Sequence, residues 1–399
     1  MRFLYTFLIL LVFASCSKDS KTLNPSTYRV ALKVQDNREL PFIIKFKTPY
    51  KAEVYNAEEI IEVDEIRYSN DSIYIQTPVF EGYIAAKLSE NGFSGEFIKE
   101  SLDRSVPVNA IESSERFLSG GRITEKLGGI WEVTFSPNGP EETYPAKGIF
   151  SQDGNKITGT FRTNTGDYRY LEGVINKSQF QLSTFDGAHA FLFTGTIKDD
   201  KLEGVFYSGN HWKEPFIGVR NPNYELADSN QLTFLKEGYE SFDFSFPNDK
   251  GELISLSDKQ FQNKVTIVQI MGSWCPNCLD ESKYYTKYAK EHPEVQFVSL
   301  AFEVAKTKES AFQRINRLKK RIGIPYPILL AQYGSDSKSL ANEKLPMLNH
   351  VLSYPTSVFI DKKGNVRKIH TGFNGPATGQ KYLDFKNEFE SFVAKLLKE

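Results

Sequence analysis

Cysteine is the residue type in this sequence with the clearest chemical use. The 399 residues contain only three cysteines, Cys16, Cys275 and Cys278, and two residues separate the last two. Three thiols are too few for a disulfide-stapled scaffold, and no four-thiolate set exists for a zinc or iron–sulfur centre. We therefore predict no metal site and no cofactor. The chemistry to be explained is that of one close thiol pair and one solitary thiol near the N-terminus.

The thiol pair lies between a predicted strand and a predicted helix. Residues 265–271 form a nearly continuous apolar run, which is typical of a strand buried on both faces of an α/β sheet. The motif Trp-Cys-Pro-Asn-Cys follows at residues 274–278, and a helical pattern continues to about Lys290. Further predicted elements are strands at 296–302, 356–361 and 366–370 and helices at 306–322 and 383–397. The order βαβα followed by ββα predicts an α/β, thioredoxin-like domain over residues 241–399.

A family resemblance becomes specific at this point. The motif at 274–278 resembles the redox motif of thioredoxin-fold proteins, and Tyr354-Pro355, just before a predicted strand, resembles their cis-proline loop. Residues 253–258 and Glu281 make the region similar to membrane-tethered thiol–disulfide reductases of the TlpA/ResA type. The resemblance covers about two-fifths of the chain. It implies a thiol–disulfide oxidoreductase whose substrate contacts Trp274, Tyr354 and the backbone before Pro355.

The resemblance assigns a role to each thiol of the pair. Cys275 would be the N-cap of the helix and face solvent, where helix-end N–H groups and the helix dipole stabilise a thiolate. Pro276 suits the first helical position, where its missing N–H costs nothing. Cys278 lies deeper in the helix and would be the thiol that resolves a mixed disulfide. The two cysteines are therefore the predicted catalytic pair.

Glu281 is the third predicted catalytic residue, and two interpretations of it remain open. It follows Cys278 by three residues and so lies on the same helical face. In the resembled reductases a matching glutamate tunes the thiols or relays protons, whereas an ordinary first-turn acid would only complement the helix dipole. Gln269 occupies the position at which thioredoxin has a buried aspartate. Because an amide cannot act as a base at neutral pH, proton transfer would depend on Glu281 or water.

The first residues resemble an export signal. One positive charge at Arg2 precedes an apolar run over residues 3–14, which is too short to span a bilayer. Small residues directly before Cys16 resemble a bacterial lipobox and imply cleavage before that cysteine and attachment of lipid to it. An ordinary secretory peptide with an incidental cysteine is the alternative. We expect a signal peptide at 1–15, a flexible tether at 16–27 and a periplasm-facing lipoprotein of the bacterial cell envelope, in either the inner or the outer membrane.

The rest of the chain has the hydrophobic period of β-structure. Residues 28–35 alternate apolar and polar side chains, and turn dipeptides such as Gly166-Asp167 separate similar stretches up to about residue 220. Strand–turn–strand units with a glycine on each arm recur near residues 82–97, 148–161 and 195–206. We predict an all-β antiparallel domain, barrel- or sandwich-like, over 28–225, with a subdomain boundary near 110–128. A linker would follow at 226–240.

Charge and the remaining polar residues exclude some functions. Lysine and arginine number 49 against 50 aspartates and glutamates, so the chain lacks the basic excess that a nucleic-acid-binding surface needs. His189, His211 and His370 are interpreted as structural or surface residues. The basic stretch at residues 314–321 is interpreted as a solvated helix face.

These observations together predict a membrane-anchored periplasmic disulfide reductase that acts on exported protein thiols. The resemblance implies protein disulfide substrates such as apocytochrome c and a membrane thiol electron donor. A thiol peroxidase is one alternative, although peroxiredoxins typically carry a lone cysteine in a Pro/Thr-flanked loop. A binding lipoprotein whose β-rich domain recognises a glycan or a protein is the other.

Overall fold

The computed structural model describes residues 21–118, 120–139 and 142–399. Cys16, the predicted signal peptide and residues 16–20 of the predicted tether lie outside the described residues. Within those ranges, no helix is both long enough and apolar enough to cross a membrane. The described chain forms two antiparallel β units followed by one α/β unit.

The first β unit is an open, nine-stranded antiparallel sheet. Its strands alternate buried and exposed side chains, which gives the sheet one apolar face. The spatial order is β4-β3-β2-β1-β9-β8-β7-β6-β5. Short 3-10 helices at Gln35–Asn37 and Glu100–Leu102 connect neighbouring strands. The strands are β1 Thr27–Lys33, β2 Glu39–Thr48, β3 Lys51–Asn56, β4 Glu59–Val63, β5 Glu65–Ser69, β6 Ser72–Gln76, β7 Tyr83–Leu88, β8 Gly92–Lys99 and β9 Arg104–Glu112.

The second β unit is a closed barrel. Eight of its strands follow one another around the barrel in chain order, and the ring closes because β10 pairs with the last strand, β18. The ninth, β13, is a two-residue strand beside β12. The strands are β10 Gly129–Phe135, β11 Tyr144–Asp153, β12 Lys156–Thr163, β13 Gly166–Asp167, β14 Leu171–Asn176, β15 Gln179–Phe185, β16 Ala190–Lys198, β17 Lys201–Ser208 and β18 Trp212–Arg220. The predicted all-β antiparallel fold with barrel character is confirmed.

Aromatic side chains fill the barrel and account for much of the aromatic content of the sequence. Trp131 and Phe135 are fully buried, and the Phe135 ring stacks on Tyr144 at a centroid distance of 5.0 Å. Close packing also explains one of the repeated glycines. A Cβ on Gly204 would lie 2.4 Å from the Thr194 carbonyl oxygen of the neighbouring strand, so only glycine fits there.

The two β units share a core. Phe185 of the barrel stacks on Phe42 of the first sheet, with ring centroids 4.2 Å apart. Arg116, in the segment that joins the units, is buried and donates to the carbonyl oxygens of Pro41, Tyr55 and Ser183 at 2.8–3.1 Å. The β-rich part is therefore one packed body with two sheets.

The α/β unit is a five-stranded sheet of order β23-β22-β21-β24-β25, with β21, β22 and β23 parallel and the last two strands antiparallel. A small hairpin of β19 and β20 precedes it, and a 3-10 helix at Pro376–Thr378 precedes the last helix. The predicted thioredoxin-like fold is confirmed. The elements are β19 Ser245–Pro247, β20 Leu253–Ser255, β21 Thr266–Met271, α1 Pro276–Glu291, β22 Gln296–Phe302, α2 Lys308–Ile322, β23 Ile328–Gln332, α3 Lys338–Lys344, β24 Thr356–Ile360, β25 Val366–Thr371 and α4 Gln380–Lys398.

Helix α2 docks on the first β sheet through a row of arginines. Three arginines spaced along one face of α2 reach acidic residues near β4, β5 and β7. The interpretation of residues 314–321 as a solvated face is therefore wrong for the arginines, because that face is covered by another part of the chain. The ion pairs are Arg314 with Glu81 at 2.5 Å, Arg317 with Glu65 at 2.8 Å, and Arg321 with Asp64.

The segment predicted as a linker, 226–240, runs along the α/β unit for much of its length. Leu235 forms a β-bridge with Leu348, and the Lys236 N–H donates to the Met347 carbonyl at 2.8 Å. The carbonyl of Ser229 accepts from the Thr371 N–H at 2.9 Å. From residue 229 onward the chain is thus attached to the α/β unit.

Candidate active site

The thiol pair lies at the start of α1, directly after the central strand β21. Cys275 is the N-cap residue, and its Sγ accepts a hydrogen bond of 3.2 Å from the Cys278 N–H. Pro276 occupies the first helical turn, as its missing N–H predicts. Cys275 and Cys278 are joined as a disulfide, with Cα atoms 5.2 Å apart. The structure therefore shows the pair in its oxidised form.

The loop before β24 brings the predicted substrate-contact residues to this disulfide. The Tyr354–Pro355 peptide bond is cis, and the Tyr354 carbonyl oxygen lies 3.4 Å from the Cys275 Sγ. The Trp274 indole N–H donates to the Phe302 carbonyl at 2.9 Å, and its ring meets the Tyr354 ring edge-on at 5.7 Å. Residues from three elements thus meet around one sulfur atom.

Glu281 lies in the interior behind the disulfide. Its carboxylate accepts hydrogen bonds from the Gln269 amide at 2.8 Å and from the Tyr285 and Ser357 hydroxyls, both at 3.1 Å. Burial raises the pKa of Glu281 to about 7, although these three donors work in the opposite direction. The Gln269 amide also lies 3.5 Å from the Cys278 carbonyl oxygen, which connects the acid to the helical turn of the thiols. A buried carboxyl that titrates near neutrality is suited to proton transfer.

A second buried acid, Glu303, adjoins the site and was not identified from the sequence. Its carboxylate accepts from the Ser273 N–H at 2.8 Å and from the Ser273 hydroxyl at 2.7 Å. Burial raises the pKa of Glu303 to about 7. The sequence did contain a signal, because Glu303 directly follows β22 and Ser273 closely follows β21. Neighbouring parallel strands end at the same edge of a sheet, where functional residues gather.

The barrel covers the disulfide, which is the largest departure from the sequence prediction. Cys275 is only 7% exposed, so the expectation that it faces solvent is wrong. The covering segment, residues 163–170, leads from β12 to β14 and makes three hydrogen bonds to the α/β unit besides the contacts of Arg169. The Asn277 amide donates to the Asp167 carbonyl, the Ser353 hydroxyl donates to the Thr165 carbonyl, and the Gly375 N–H donates to the Asp167 carboxylate, at 3.1, 2.7 and 2.6 Å.

A buried charge cluster around Arg169 holds this segment in place. The guanidinium pairs with Glu59 of the first sheet, with Asp186 of the barrel at 3.3 Å and with Asp280 of α1. Burial alone would lower the pKa of Arg169, but these carboxylates hold that pKa above its usual value. Burial raises the pKa of nearby Asp167 to about 6. One side chain therefore joins all three parts of the described chain.

A cavity of about 300 Å³ adjoins Trp274 where the three parts meet. His211 and His189 line it together with Lys99 and Arg104, so the two histidines lie at an interface. Burial, together with the nearby charges of Arg104 and Lys99, lowers the pKa of His211 to about 4. Burial lowers the pKa of Lys99 to about 8. His370 is buried elsewhere, where its ring is 2.9 Å from the Asn230 amide oxygen.

A disulfide at the junction of a central strand and a helix, beside a cis-proline loop and above a buried carboxyl, defines a thioredoxin-like thiol–disulfide oxidoreductase. Comparisons with known proteins agree with this class. Residues 236–383 match the Redoxin family model. The chain is 27% identical over 157 residues to the thioredoxin-like protein YneN of Bacillus subtilis, which covers 39% of this chain and 84% of that protein.

Two further similarities cover the same part of the chain. The thiol-disulfide oxidoreductase ResA of Geobacillus kaustophilus is 28% identical over 146 residues, which cover 36% of this chain and 73% of the relative. A putative thiol:disulfide interchange protein DsbE from Chlorobium tepidum matches 40% of this chain and 99% of its own with 18% identity and a TM-score of 0.30. The C-terminal region is a Redoxin domain with thiol-disulfide oxidoreductase relatives, and the predicted ResA-like enzyme class is confirmed.

Proposed function

We propose that this enzyme is a lipid-anchored, periplasm-facing disulfide reductase that acts on exported proteins. The observation that carries this proposal is the position of the Cys275 sulfur, at the N-cap of α1 and 3.4 Å from the Tyr354 carbonyl. A helix N-terminus stabilises a thiolate, and a peptide group beside the sulfur can bind an extended substrate chain. The names of the relatives, which include thiol-disulfide oxidoreductases, support the same reaction class.

The reaction is two successive thiol–disulfide exchanges. In the reduced enzyme the Cys275 thiolate attacks one sulfur of the substrate disulfide, so that a mixed disulfide forms and one substrate thiolate leaves. The Cys278 thiolate then attacks the Cys275 sulfur, which releases the second substrate thiolate and forms the enzyme disulfide. Two electrons pass to the substrate. A membrane-bound dithiol, by a further exchange of the same kind, returns two electrons to the enzyme.

Glu281 is proposed as the proton carrier of the second step. Cys278 must lose its proton before it attacks, and Glu281 lies one helical turn beyond it in the same buried region. A carboxyl whose pKa is about 7 can accept that proton and return it at neutral pH. Gln269 and Ser357 would hold the carboxyl in position through the hydrogen bonds described above.

Two measurements on the full-length protein test the direction of electron transfer and the identity of the substrate. A reduction potential of the Cys275–Cys278 couple well below about −120 mV, the value of a strong oxidant, is expected for a reductase. Cys278→Ser should trap proteins from periplasmic extracts as mixed disulfides on Cys275. The double variant with Cys275→Ser is the matched control and should trap none. A potential near the oxidant value, or trapping that does not depend on Cys275, would contradict the proposal.

The anchor is tested separately. Cys16→Ser should abolish incorporation of labelled fatty acid and move the protein from the membrane to the soluble fraction of the cell envelope. Cys275→Ser, which leaves the N-terminus unchanged, should remain in the membrane fraction. A Cys16→Ser protein that stays lipid-labelled would exclude the proposed attachment site.

A further inference from the structure

Residues 163–170 of the barrel, named here the covering segment, lie across the face of the α/β unit that carries the disulfide. Their contacts reach three separate parts of that face: Asn277 in α1, Ser353 in the cis-proline loop and Gly375 after β25. Asn277 lies two residues after Cys275, and Ser353 precedes Tyr354, whose carbonyl oxygen lies 3.4 Å from the Cys275 sulfur.

The fit between the covering segment and this face is close. A Cβ on Gly166 would lie 2.1 Å from the Asn277 amide nitrogen, and a Cβ on Gly372 would lie 2.8 Å from the Thr165 carbonyl carbon. Both glycines have positive φ angles, +145° and +75°. The two surfaces therefore approach each other more closely than ordinary side chains would allow.

The covering segment also presents its backbone to the α/β unit. The carbonyl oxygens of Thr165 and Asp167 accept the hydrogen bonds from Ser353 and Asn277. Every peptide chain carries such carbonyl groups, so an extended substrate segment could satisfy the same two donors. The covering segment thus occupies the face in the manner of a bound polypeptide.

Apolar packing and charged contacts together hold the β-rich part, with its covering segment, against the α/β unit, since Phe80 and Ala188 belong to the same buried core as Cys275. The Arg169 cluster is buried, but the α2 pairs Arg317–Glu65 and Arg321–Asp64 are partly exposed. Exposed ion pairs contribute little individually and are screened by salt. The exposed pairs therefore make the stability of this contact sensitive to salt.

From these observations we propose that the covering segment is an intramolecular competitor of the substrate, and that an extended polypeptide must displace it from the disulfide face before exchange with Cys275 can occur. The proposal rests on the proposed function for the identity of the competing ligand. The occlusion of Cys275 itself can be measured without any substrate.

The test compares alkylation of Cys275 by a small and a large reagent in the reduced, full-length Cys278→Ser protein. Iodoacetamide is the small reagent, and a maleimide that carries a polyethylene glycol chain is the large one. Mass spectrometry of the peptide that contains Cys275 gives each rate separately from labelling of Cys16. Arg317→Glu should speed labelling by the large reagent about three- to ten-fold, as expected when an exposed ion pair is replaced by a like-charge contact.

Two further variants complete the test. Glu65→Arg combined with Arg317→Glu restores an opposite-charge pair and should return the rate close to its original value. Arg367→Glu removes a comparable arginine that pairs with Asp361 and Glu399 inside the α/β unit, and it should leave the rate unchanged. Equal rates in the unaltered, Arg317→Glu and doubly altered proteins would overturn the proposal.

Salt provides the same test on a chain whose fold is not altered. Raising NaCl from about 0.1 M to about 1 M shortens the screening length and weakens the exposed pairs. Labelling by the large reagent should accelerate more than labelling by iodoacetamide, and an equal change for both reagents would overturn the proposal. Because no disulfide is reduced in this assay, an oxidase rather than a reductase would fail the reduction-potential test and still pass this one.

Discussion

At the scale of single residues, two buried ionisable groups stand out. Arg116 is surrounded by acceptors from both β units, yet burial lowers its pKa to about 10, so its charged form is less favourable than in water. Glu281 is held by three neutral donors and no cation in the hydrogen bonds described, and burial raises its pKa to about 7. Arg116 therefore stays charged at neutral pH and links the two β units, whereas Glu281 titrates near neutrality beside the thiols.

The Glu281→Gln variant tests this difference through the pH dependence of stability. A glutamate pKa of about 4.5 in the unfolded chain and about 7 in the folded chain means that folding favours the protonated form. The loss of folding stability caused by this carboxyl is absent below pH 4.5, develops between pH 4.5 and 7, and is complete above pH 7. In denaturant titrations of the oxidised protein, the free energy of unfolding of the variant should rise by on the order of 3 kcal/mol relative to that of the natural chain as the pH increases from 4.5 to 7.

Glu309→Gln is the matched control, because Glu309 is an exposed acid in the first turn of α2. The stabilisation that Glu281→Gln develops between pH 4.5 and 7 should be absent in this control. A Glu281→Gln difference that is flat from pH 4 to 8 would show that burial does not raise the pKa of the Glu281 carboxyl.

Arg116→Met tests the role of the buried arginine. The change leaves the carbonyl oxygens of Pro41, Tyr55 and Ser183 without this donor in the interior. The free energy of unfolding should fall by about 3 kcal/mol or more, since unsatisfied buried polar groups each cost about 1–3 kcal/mol. Arg29→Met, at a partly exposed site of β1, should change it by less than about 1 kcal/mol. Equal losses in denaturant titrations would contradict this assignment.

At the scale of elements, local patterns in the sequence were sufficient to predict the structure wherever the contacting residues are close in the chain. The apolar run of β21, the N-cap cysteine of α1 and the alternation of the β strands all appear in the structure as predicted. The solvent exposure of Cys275 could not be predicted this way. It depends on Asp167, which is 110 residues from Asn277, and nothing local in a glycine–aspartate turn indicates which distant surface it will meet.

The same argument applies to α2. The helical pattern at residues 306–322 predicted this helix, but the sequence does not indicate that its basic face meets a second unit rather than water. Arg317 and its partner Glu65 are 252 residues apart, so only the tertiary structure connects them. Glu303 is different, since its position directly after a parallel strand was available to sequence analysis.

The barrel strands yield a prediction about packing. Phe135→Ala removes a fully buried ring that contacts Tyr144, Phe161 and Phe216. Truncation of a buried phenylalanine costs about 3–5 kcal/mol, so the midpoint of denaturant unfolding should fall markedly. Phe234→Ala, at a site that is 55% exposed, should change the unfolding free energy by about 0.5 kcal/mol or less. A similar loss in both variants would argue against an aromatic barrel core.

At the scale of the whole molecule, the covering segment and the disulfide face should open as one unit. Hydrogen exchange followed by mass spectrometry can measure peptides from residues 163–170 and from the cis-proline loop in the same sample. Arg317→Glu should raise exchange in both sets by the same factor and leave strands β14 to β18 unchanged, because one opening step exposes both surfaces. Faster exchange confined to one of the two surfaces would show that they move independently.

The short connection between the barrel and the α/β unit determines how strongly the covering segment competes with a substrate. Glu225 is held by Lys147 and Arg162 of the barrel, and Ser229 is held by Thr371 of the α/β unit. Residues 226–228 lie between these anchors and can span only about 10 Å. A short connection gives an attached ligand an effective concentration in the millimolar range. A free substrate at a lower concentration must therefore bind the disulfide face more tightly than the covering segment does. The β-rich part would then set the minimum affinity that a substrate needs.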